Sequence, residues 1–322
     1  MNEPTASVLI PSYRRPGTLA KCLDGLAAQR RLPGEVIVIW QADDVGTRDA
    51  AESLRAAMPC PLRVLHSPEA GVVAAENTAL DAATGGVILL IDDDAIPPPD
   101  WLERHLAHYA DPTVGAVGGP AVNFMPDGTT LPERAVEPTG RITWFGKTYG
   151  NMHDHVPEWR GRPPQEVDHL VGYNMSLRRS AFDRFEAGLR PYWQFFEGEA
   201  CCQVKARGFR ILFDFANVVE HHPTNSIYAH GRDGDLGVRV FNGAYNHAFV
   251  LAKHSPAPLR PCRLLYLLGV GAVNAPGLLG SLAALRRYGH PRRELAILGR
   301  TWASNLAGGR AGLRARRRAR AG

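Results

Sequence analysis

In the stretch GGVILLIDDDAIPPPDW, residues 85–101, an apolar run is followed by three consecutive aspartates and then by three prolines. A short run of valine, isoleucine and leucine between glycines and prolines is typical of a parallel strand that is buried on both faces. In open α/β sheets, ligands bind beyond the carboxyl ends of such strands. The aspartates at positions 92–94 therefore lie where this class of fold binds its ligand.

The three aspartates predict a cation site. If the extended geometry of the strand continues, Asp92 and Asp94 point to one side of the chain and Asp93 points to the other. Carboxylates this close repel each other unless a cation or hydrogen-bond donors compensate. Mg²⁺ and Mn²⁺ accept oxygen ligands and fit this requirement. The alternative is a helix cap, but Asp100 occupies that position, with Glu103 three residues later in capping-box spacing.

The residues before the aspartates alternate between apolar runs and amphipathic segments. We predict strands at residues 7–11, 35–40, 62–66 and 87–91, and helices at residues 18–29, 47–58 and 71–83. Strands that alternate with helices of about a dozen residues form right-handed βαβ units and a mostly parallel sheet. The first strand is not followed by GxGxxG, and GxxxxGK[ST] does not occur. The predicted fold class is α/β and Rossmann-like, without an ordinary dinucleotide site or P-loop.

Composition limits the size of the core and the compartment. With 322 residues, of which 45% are hydrophobic, the chain can form one large or two ordinary domains. Its five cysteines form no CxxC pair and no evenly spaced framework, which fits a reducing compartment and disfavours a zinc site. The N-terminus has neither a basic start nor a long apolar run. We therefore expect no signal peptide and a cytoplasmic protein.

Positive charge is concentrated at the end of the chain. The net charge is +5, yet residues 308–322 hold six arginines and no acid, and residues 258–307 hold seven arginines against Glu294. We predict three parts: a catalytic domain at residues 1–257, an apolar helical segment at 258–307 and a disordered arginine-rich tail at 308–322. No zinc finger or RNP-type motif accompanies the arginines, so nucleic acid is not an expected partner.

Residues 264–285 form a 22-residue segment without a charge, long enough in principle to cross a bilayer. Arginines flank it on both sides and give no clear orientation, and Asn274, Ala275 and Pro276 interrupt its middle. We predict a C-terminal, membrane-proximal extension: a broken hairpin or in-plane segment that lies on the anionic inner face of the cell membrane, helped by the arginine tail. The alternative is an ordinary apolar helix packed on the catalytic domain.

Four blocks of sequence together resemble one enzyme family. They are SVLIPSYRRPGTLAKCLDGLAAQ from Ser7, GVVAAENTALDAATGGVILLIDDDAIPPPDWL from Gly71, VGYNMSLRRSAF from Val171 and FFEGEACCQVKARGFRILFDFANVVEHHP from Phe195. Their order and spacing resemble the family-two inverting glycosyltransferases of GT-A fold. The resemblance implies a nucleotide-sugar donor over the carboxyl ends of the strands. It also implies that the aspartate motif after the fourth strand holds Mg²⁺ or Mn²⁺ on the donor diphosphate.

The resemblance assigns donor-binding residues to several blocks. The end of the first strand resembles the segment that cradles the nucleobase and ribose. After the second strand the family's aspartate is replaced by Trp40-Gln41, and the two acids that follow are the candidates for its role. The implied donor-binding residues are Pro11, Ser12, Tyr13, Asp43, Asp44, Asn77, Asp93, Gly172 and Asn174, and the implied metal ligands are Asp92, Asp94 and His221.

The resemblance also implies a catalytic base. A carboxylate must accept the proton of the acceptor hydroxyl as that hydroxyl attacks the anomeric carbon. In the family this base belongs to an acidic pair just before a helix. Counting back from Gly208 places Glu197 at the base position and Glu199 at the second acidic position, and Glu199 remains the alternative base. Acids favoured at a helix N-terminus by the macrodipole explain the location of the pair equally well.

The implied function is metal-dependent, inverting transfer of a sugar from a nucleotide-sugar to a hydroxyl of a glycan or lipid-linked acceptor. The membrane-proximal tail suggests a polysaccharide, a glycolipid or another cell-envelope product. The sequence contains no QxxRW, the pattern of the family's processive polymerases, so we predict single additions. The alternative is a degenerate, membrane-associated protein that binds a nucleotide-sugar or glycan without catalysis. This alternative rests on Trp40, Glu76 and Gln203, which depart from common family residues.

Overall fold

The computed structural model describes most of the chain. The described residues are 5–125, 128–130, 139–150, 159, 161–190, 195–223, 236–272, 275–288 and 291–319. The chain divides into two units, the first with residues 1–141, 149–185 and 200–225 and the second with residues 142–148, 186–199 and 226–322. The division differs from the predicted boundary at residue 257, because three segments before that residue, 142–148, 186–199 and 226–257, belong to the second unit.

The first unit contains an eight-stranded sheet and the first helices. Its strands begin with β1 (Ala6–Ser12), β2 (Glu35–Gln41), β3 (Leu62–Ser67), β4 (Val87–Leu90), β5 (Ala95–Ile96), β6 (Val114–Gly118) and β7 (Ala121–Asn123). The short ladder of β8 (Arg141–Ile142) and β9 (Thr148–Tyr149) precedes β10 (Gln165–Glu166), β11 (Met175–Arg178), β12 (Arg210–Phe213) and β13 (Val219–His221). The helices are α1 (Pro16–Ala27), α2 (Val45–Leu54), α3 (Val72–Ala82), α4 (Trp101–His108) and α5 (Phe196–Ala206), whose first turn belongs to the second unit.

The sheet is mostly parallel, as the alternation of strands and helices predicts. Its strand order is β10, β12, β6, β11, β4, β1, β2 and β3. The pairs β1–β2, β1–β4, β2–β3 and β6–β12 are parallel, whereas β11 runs antiparallel between β4 and β6. Every residue of β1 and β4 is buried, as expected for central strands covered on both faces. The carboxyl ends of β1, β2 and β4 therefore meet at one edge.

A buried ionic cluster joins the N-terminal ends of these strands. Glu35 Oε1 accepts hydrogen bonds from Ser7 Oγ (2.7 Å), Thr84 N (2.7 Å) and Thr84 Oγ1 (2.6 Å), and Oε2 accepts one from Arg63 Nη1 (2.8 Å). Burial alone would raise the pKa of Glu35, but the hydrogen bonds from Thr84, Arg63 and Ser7 outweigh it and lower the pKa to about 2. The ionised form of Glu35 therefore stabilises the junction of β1, β2 and the turn before β4.

The Glu35→Gln substitution is expected to reduce the free energy of unfolding at pH 7 by about 2–3 kcal/mol. A pKa lowered by folding contributes stability that is complete above the unfolded pKa of about 4.3 and is lost as the pH falls towards the folded value. The difference between wild type and variant should therefore shrink between about pH 5 and pH 2. Urea unfolding at several pH values measures this difference, and a constant difference across that range would contradict the assignment.

One local prediction is wrong in its chemistry. Asp100 stands at the N-cap position of α4, but its side chain makes no capping hydrogen bond. Instead, Asp100 Oδ2 accepts a hydrogen bond from Arg104 Nε at 2.8 Å, one turn later in the helix. The predicted capping box with Glu103 is therefore replaced by an i,i+4 ion pair, which satisfies the carboxylate outside the helix end.

The second unit is helical in its described part. It contains α6 (Leu236–His254), α7 (Arg260–Gly269), the strand pair β14 (Gly271–Ala272) and β15 (Ala275–Pro276), α8 (Leu278–Tyr288) and α9 (Pro291–Arg318). The strand pair interrupts the apolar segment where the sequence predicts a break. Within the described residues, no helix combines the length and apolar character needed to cross a bilayer.

Helix α9 extends through residues 308–318, which we predict from the sequence to be disordered. Gly308 and Gly312 are the physical reason, because they allow the helix backbone to approach α6 closely. A Cβ at Gly308 would lie 2.1 Å from the carbonyl oxygen of Tyr245, and one at Gly312 would lie 2.2 Å from that of Phe249. The glycines that look like helix breakers in the sequence are thus contact positions between two helices.

Candidate active site

The aspartates lie in a turn at the carboxyl end of β4, and a second small sheet brings His221 beside them. Strand β4 ends at Leu90 and β5 begins at Ala95. Strand β13 pairs antiparallel with β5, so that His221 faces Ala95 across the ladder. The backbone N–H of His222 donates to the carbonyl of Asp94 at 2.8 Å and continues this pairing. Ladder geometry therefore fixes the separation of the aspartates and the histidine.

Asp92, Asp94 and His221 form a cluster of potential metal ligands. One ligand atom from each of the three lies within 4.8 Å of the other two. Asp94 Oδ1 lies 3.2 Å from His221 Nε2, and His221 Nδ1 lies 2.7 Å from Asn123 Oδ1. Donation from Nδ1 to Asn123 leaves Nε2 as the nitrogen that faces the aspartates. The ring of Tyr173 stacks on the imidazole, with centroids 5.0 Å apart, and fixes its plane.

The charges of the cluster are strongly coupled. Burial would raise the pKa of Asp94, but the close approach of His221 and the charge of Arg15 lower it overall. Burial would lower the pKa of His221, but Asp94 raises it. Each group thus stabilises the charged form of the other, and a cation bound there would compete with a proton on His221.

Arg15 is the residue at this site that the sequence analysis missed. Its guanidinium pairs with Asp93 Oδ1 at 2.8 Å through Nη2 and with Asp94 Oδ2 through Nη1. Ser12 Oγ donates to Asp93 Oδ2 at 2.6 Å. Burial of Asp93, with repulsion from Asp94 and Asp92, nevertheless raises its pKa to about 7 against the opposing effect of Arg15. The contacts of Asp93 with Ser12 and Arg15 tie the turn to the end of β1 and to the residues that follow it.

The cluster fits a divalent cation by its chemistry. Two carboxylates and an imidazole suit Mn²⁺, and the carboxylates suit Mg²⁺. Asp94 Oδ1 is buried and accepts no hydrogen bond of good geometry from the described residues. Its distance of 3.2 Å from His221 Nε2 matches the separation of about 3 Å expected between neighbouring ligand atoms on one octahedral cation. Asp92, Asp94 and His221 are therefore able to hold Mg²⁺ or Mn²⁺.

The ends of β1 and β2 are joined by a buried glutamine. Gln41 Nε2 donates to the carbonyl of Ser12 at 3.1 Å, and Gln41 Oε1 accepts from the backbone N–H of Gly71 at 2.8 Å. Pro11 and Ser12 are buried and Tyr13 is partly exposed. Gln41 belongs to the Trp40-Gln41 pair that replaces the family's aspartate. It connects the end of β1, the predicted nucleobase-binding segment, to the start of α3.

The two acids after β2 have different environments. Asp44 is the N-cap of α2, where Oδ1 accepts from Thr47 N at 3.2 Å and Oδ2 accepts from the backbone N–H of Arg14. Asp43 is exposed and pairs with Arg14 at 3.4 Å. The carboxylate of Asp44 is therefore already hydrogen-bonded to the loop that follows β1. Asp43 is exposed and accessible to a ligand.

The two predicted donor-binding asparagines are buried and hydrogen-bonded within the protein. Asn77 in α3 exchanges two hydrogen bonds of 3.0 Å with the backbone of Phe185. The carboxamide of Asn174 makes four hydrogen bonds, to Trp101 Nε1, His105 Nε2, the carbonyl of Pro120 and the carbonyl of Asn217. Gly172 begins the 3₁₀ turn that leads to Asn174 and is also buried. The amide groups of Asn77 and Asn174 are therefore used in hydrogen bonds that hold the fold together.

The predicted acidic pair lies in the first turn of α5. Glu197 is 8% exposed and Glu199 is fully buried. Glu199 Oε1 accepts from Lys253 Nζ at 2.6 Å and from His254 Nε2 at 2.7 Å. The two glutamates, which the sequence treats as alternatives for one role, therefore have distinct environments.

Comparison with known proteins assigns the family. A model described as glycosyl transferase family 2 matches residues 7–185, more than half of the chain. The chain belongs to glycosyl transferase family 2. The matched region contains β1 to β4 and the three aspartates, whereas Glu197, Glu199 and His221 lie beyond it. The predicted family is thus confirmed.

Two curated relatives and one solved structure illustrate the similarity. Glycosyltransferase AglE of Haloferax volcanii is 29% identical over 133 residues, which cover 41% of this chain and 44% of AglE. Succinoglycan biosynthesis protein ExoM of Rhizobium meliloti is 32% identical over 175 residues, which cover 53% of this chain and 50% of ExoM. This chain thus spans half or less of the length of these relatives.

The structure of mannosyltransferase PcManGT from Pyrobaculum calidifontis, in complex with GDP-Man and Mn²⁺, aligns over 95% of this chain and 88% of that chain. The TM-score is 0.55 at 20% sequence identity. At this identity the similarity concerns the fold alone. The predicted mostly parallel GT-A fold of the family is confirmed.

Proposed function

We propose that this protein is a glycosyltransferase that moves a sugar from a nucleotide-sugar donor to a hydroxyl of an acceptor, with Mg²⁺ or Mn²⁺ held by Asp92, Asp94 and His221. The observation that carries the proposal is the convergence of these three side chains at the carboxyl end of β4. A cation bound there would neutralise the donor diphosphate and stabilise the charge that develops on it as it leaves. Asp93, held by Ser12 and Arg15, keeps the turn in place.

We assign the general base to Glu197. An inverting reaction needs one carboxylate that removes the proton of the attacking hydroxyl, and that carboxylate must be ionised and accessible to the acceptor. Glu199 is fully buried and hydrogen-bonded to Lys253 and His254, whereas Glu197 retains some exposure in the same turn. The positive end of the α5 macrodipole favours the ionised form of Glu197.

The acceptor is proposed as a glycan or a lipid-linked glycan, with one sugar added per encounter. ExoM, a relative, is described as a succinoglycan biosynthesis protein. The absence of QxxRW from the sequence supports single additions. We therefore place the protein in the assembly of a cell-envelope polysaccharide.

A panel of nucleotide-sugars and nucleoside diphosphates, each with Mn²⁺, Mg²⁺ or chelator, tests the proposed function. A ligand that binds only the folded state raises the unfolding temperature. We expect a metal-dependent increase with one nucleotide class, and NMR of the product should show inversion at the anomeric carbon. Binding without transfer or donor hydrolysis would favour the degenerate binding protein. No binding by any member of the panel would contradict the proposal.

Membrane association is proposed for the second unit. Exposed apolar side chains occur on three of its helices, at Leu265, Leu278, Leu279, Leu282, Leu295, Trp302 and Leu306. Arginines follow them in the last turn of α9, and the indole of Trp302 donates to the carbonyl of Leu268. Apolar side chains beside arginines suit the surface of an anionic bilayer, so we place the protein peripherally at the cytoplasmic face of the membrane.

We expect the protein to sediment with vesicles that contain about 30% anionic lipid, and not with neutral vesicles of the same size. The double substitution Leu279→Ser and Leu282→Ser should weaken this binding, because both side chains are exposed. The exposed pair Leu32→Ser and Val45→Ser, in the first unit, is the matched control. Equal binding to both kinds of vesicle, or an equal effect of the control, would contradict a lipid-binding role for these leucines.

A further inference from the structure

Helix α6 is bonded to the first turn of α5, the turn that carries Glu197. Glu199 accepts hydrogen bonds from two consecutive residues of α6, Lys253 at 2.6 Å and His254 at 2.7 Å. Lys253 Nζ also contacts Glu186 Oε2 at 2.6 Å. All of these residues belong to the second unit. A buried carboxylate that accepts hydrogen bonds from two side chains has little freedom to change its position.

The residue before α5 is held in an unfavourable backbone conformation. Phe195 has φ of 76°, in the left-handed region that bulky side chains rarely adopt. Such a conformation costs about 1–3 kcal/mol and persists only where neighbouring groups impose it. The ring of Phe195 stacks on His247 of α6 with centroids 4.3 Å apart and planes inclined by 20°. The carbonyl of Phe195 accepts from the backbone N–H of Glu199 at 3.0 Å, so the strained residue sets the start of the helix.

The same helix holds the chain upstream of α5. Asn246 Oδ1 accepts from the backbone N–H of Arg190 at 2.8 Å, and Asn246 Nδ2 donates to the carbonyl of Arg190 at 3.1 Å. The Arg190 guanidinium lies 4.2 Å from the centre of the Tyr245 ring. Helix α6 therefore contacts the chain on both sides of Glu197. It binds the backbone of Arg190 and the side chain of Phe195 before Glu197, and the side chain of Glu199 after it.

The charge states agree with a fixed ionic contact. Burial would raise the pKa of Glu199, but His254 and Lys253 lower it overall. Burial would lower the pKa of Lys253, but Glu199 and Glu186 raise it. Glu199 is thus ionised and its two partners compensate its charge. A carboxylate in this state, with no exposure to solvent, is poorly placed to receive a proton from a substrate hydroxyl.

We propose that three residues of α6, His247, Lys253 and His254, hold the start of α5 and thereby position Glu197; we call these three residues the clamp. Glu199 binds Lys253 and His254 of the clamp and is not a catalytic group. The proposal rests on the assignment of Glu197 as the base. A displacement of a reacting group by about 1 Å can cost about 100-fold in rate, so the clamp acts on kcat through the placement of Glu197. The clamp contains none of the three proposed cation ligands.

Substitutions at Glu199 separate a positioning role from a catalytic one. Glutamine retains the shape and an oxygen that accepts from Lys253 and His254, but it cannot serve as a base. We expect Glu199→Gln to retain kcat within about 10-fold, and Glu199→Ala to lower kcat by about 100-fold, with the KM for the donor changed less than about 3-fold in both. If Gln and Ala are equally inactive, Glu199 is itself the base; if Ala is fully active, the clamp has no role.

Glu186→Gln is the matched control, because it removes the other carboxylate paired with Lys253 and leaves the contacts to Glu199 intact. It should lower thermal stability with kcat within about 2-fold of wild type. A loss of kcat equal to that of Glu199→Ala would assign the effect to general destabilisation. If Glu199→Ala does not fold, His254→Ala replaces it, with an expected loss of about 10-fold in kcat.

Hydrogen exchange tests the clamp independently of the proposed function. The amides of Glu199, Ala200 and Cys201 should exchange faster in Glu199→Ala than in wild type, with little change in Glu186→Gln. Unchanged exchange in Glu199→Ala would overturn the clamp whatever the enzymatic activity. If wild type turns over no nucleotide-sugar but exchange responds as expected, the proposed function fails and the clamp between α6 and α5 stands as a structural device.

Discussion

Glu197→Gln is expected to lower kcat by about 10²–10⁴-fold while donor binding stays intact. The amide has the shape of the carboxylate but cannot accept the proton of the acceptor hydroxyl. Glu197 lies in the first turn of α5 and is 8% exposed. Glutamine has nearly the same size and shape, so the substitution disturbs little packing at this buried position. Steady-state kinetics with saturating donor and metal measure kcat, and the thermal shift by donor with Mn²⁺ measures binding.

The control for Glu197 must reproduce its position at a helix N-terminus. Glu103 is an exposed acid in the first turn of α4, and Glu103→Gln removes the same interaction with the macrodipole. It should cost about 0.3–1 kcal/mol of stability and leave kcat unchanged. Equal losses of kcat in the two variants would mean that Glu197 only stabilises its helix. Full turnover by Glu197→Gln would remove the residue from the mechanism.

The strands and helices of the first unit could be predicted from the sequence because their signals are local. The run from Val87 gives β4, and the run from Glu35 gives β2, each within one residue of the predicted end. Helix α1 buries Leu19, Cys22, Leu23 and Leu26, the face that the spacing of apolar residues predicts. Buried runs and helical periodicity need no knowledge of distant partners, so they are readable in one sequence.

The site could be predicted only in part, because its charges are balanced by distant residues. Arg15 pairs with two aspartates that lie about eighty residues further along the chain, and no local pattern marks it. Strands β5, β7 and β13 have only two or three residues each, too short for a periodic signal, yet they place His221 beside Asp94. The resemblance to the family pointed to His221 as a ligand candidate, whereas its hydrogen-bond partner Asn123 could be identified only from the structure.

The end of the chain illustrates a different failure. Arginines and glycines in residues 308–318 have the composition of a disordered tail, and we predict one on that basis. In the structure Gly308 and Gly312 face the carbonyls of Tyr245 and Phe249, and α9 continues to Arg318. Glycine destabilises a helix that stands alone but allows a second helix to approach closely, and the sequence does not distinguish the two situations.

Asp94→Asn is expected to abolish metal-dependent donor binding, with at least a 100-fold loss of Mn²⁺ affinity and about a 10³-fold loss of turnover. Asp94 supplies the buried oxygen that faces His221 Nε2 at 3.2 Å. A neutral amide is a weaker ligand for a hard cation and no longer compensates the charge of His221. Electron paramagnetic resonance of free Mn²⁺ measures the affinity without donor or turnover.

Asp214 provides a matched control, because it is a buried aspartate paired with a histidine in the same unit. Asp214 Oδ2 lies 2.9 Å from His108 Nε2, and its pKa is lowered because hydrogen bonding to His108 outweighs burial. Asp214→Asn removes an equivalent charge and should reduce stability without changing Mn²⁺ affinity. Equal loss of affinity in both variants would trace the effect to the fold, and unchanged affinity in Asp94→Asn would place the cation elsewhere. Asp94 and Asp214 are both buried, both charged and both paired with a histidine, and they differ in their other neighbours. A loss of Mn²⁺ affinity in Asp94→Asn alone would therefore place the cation site at the turn after β4.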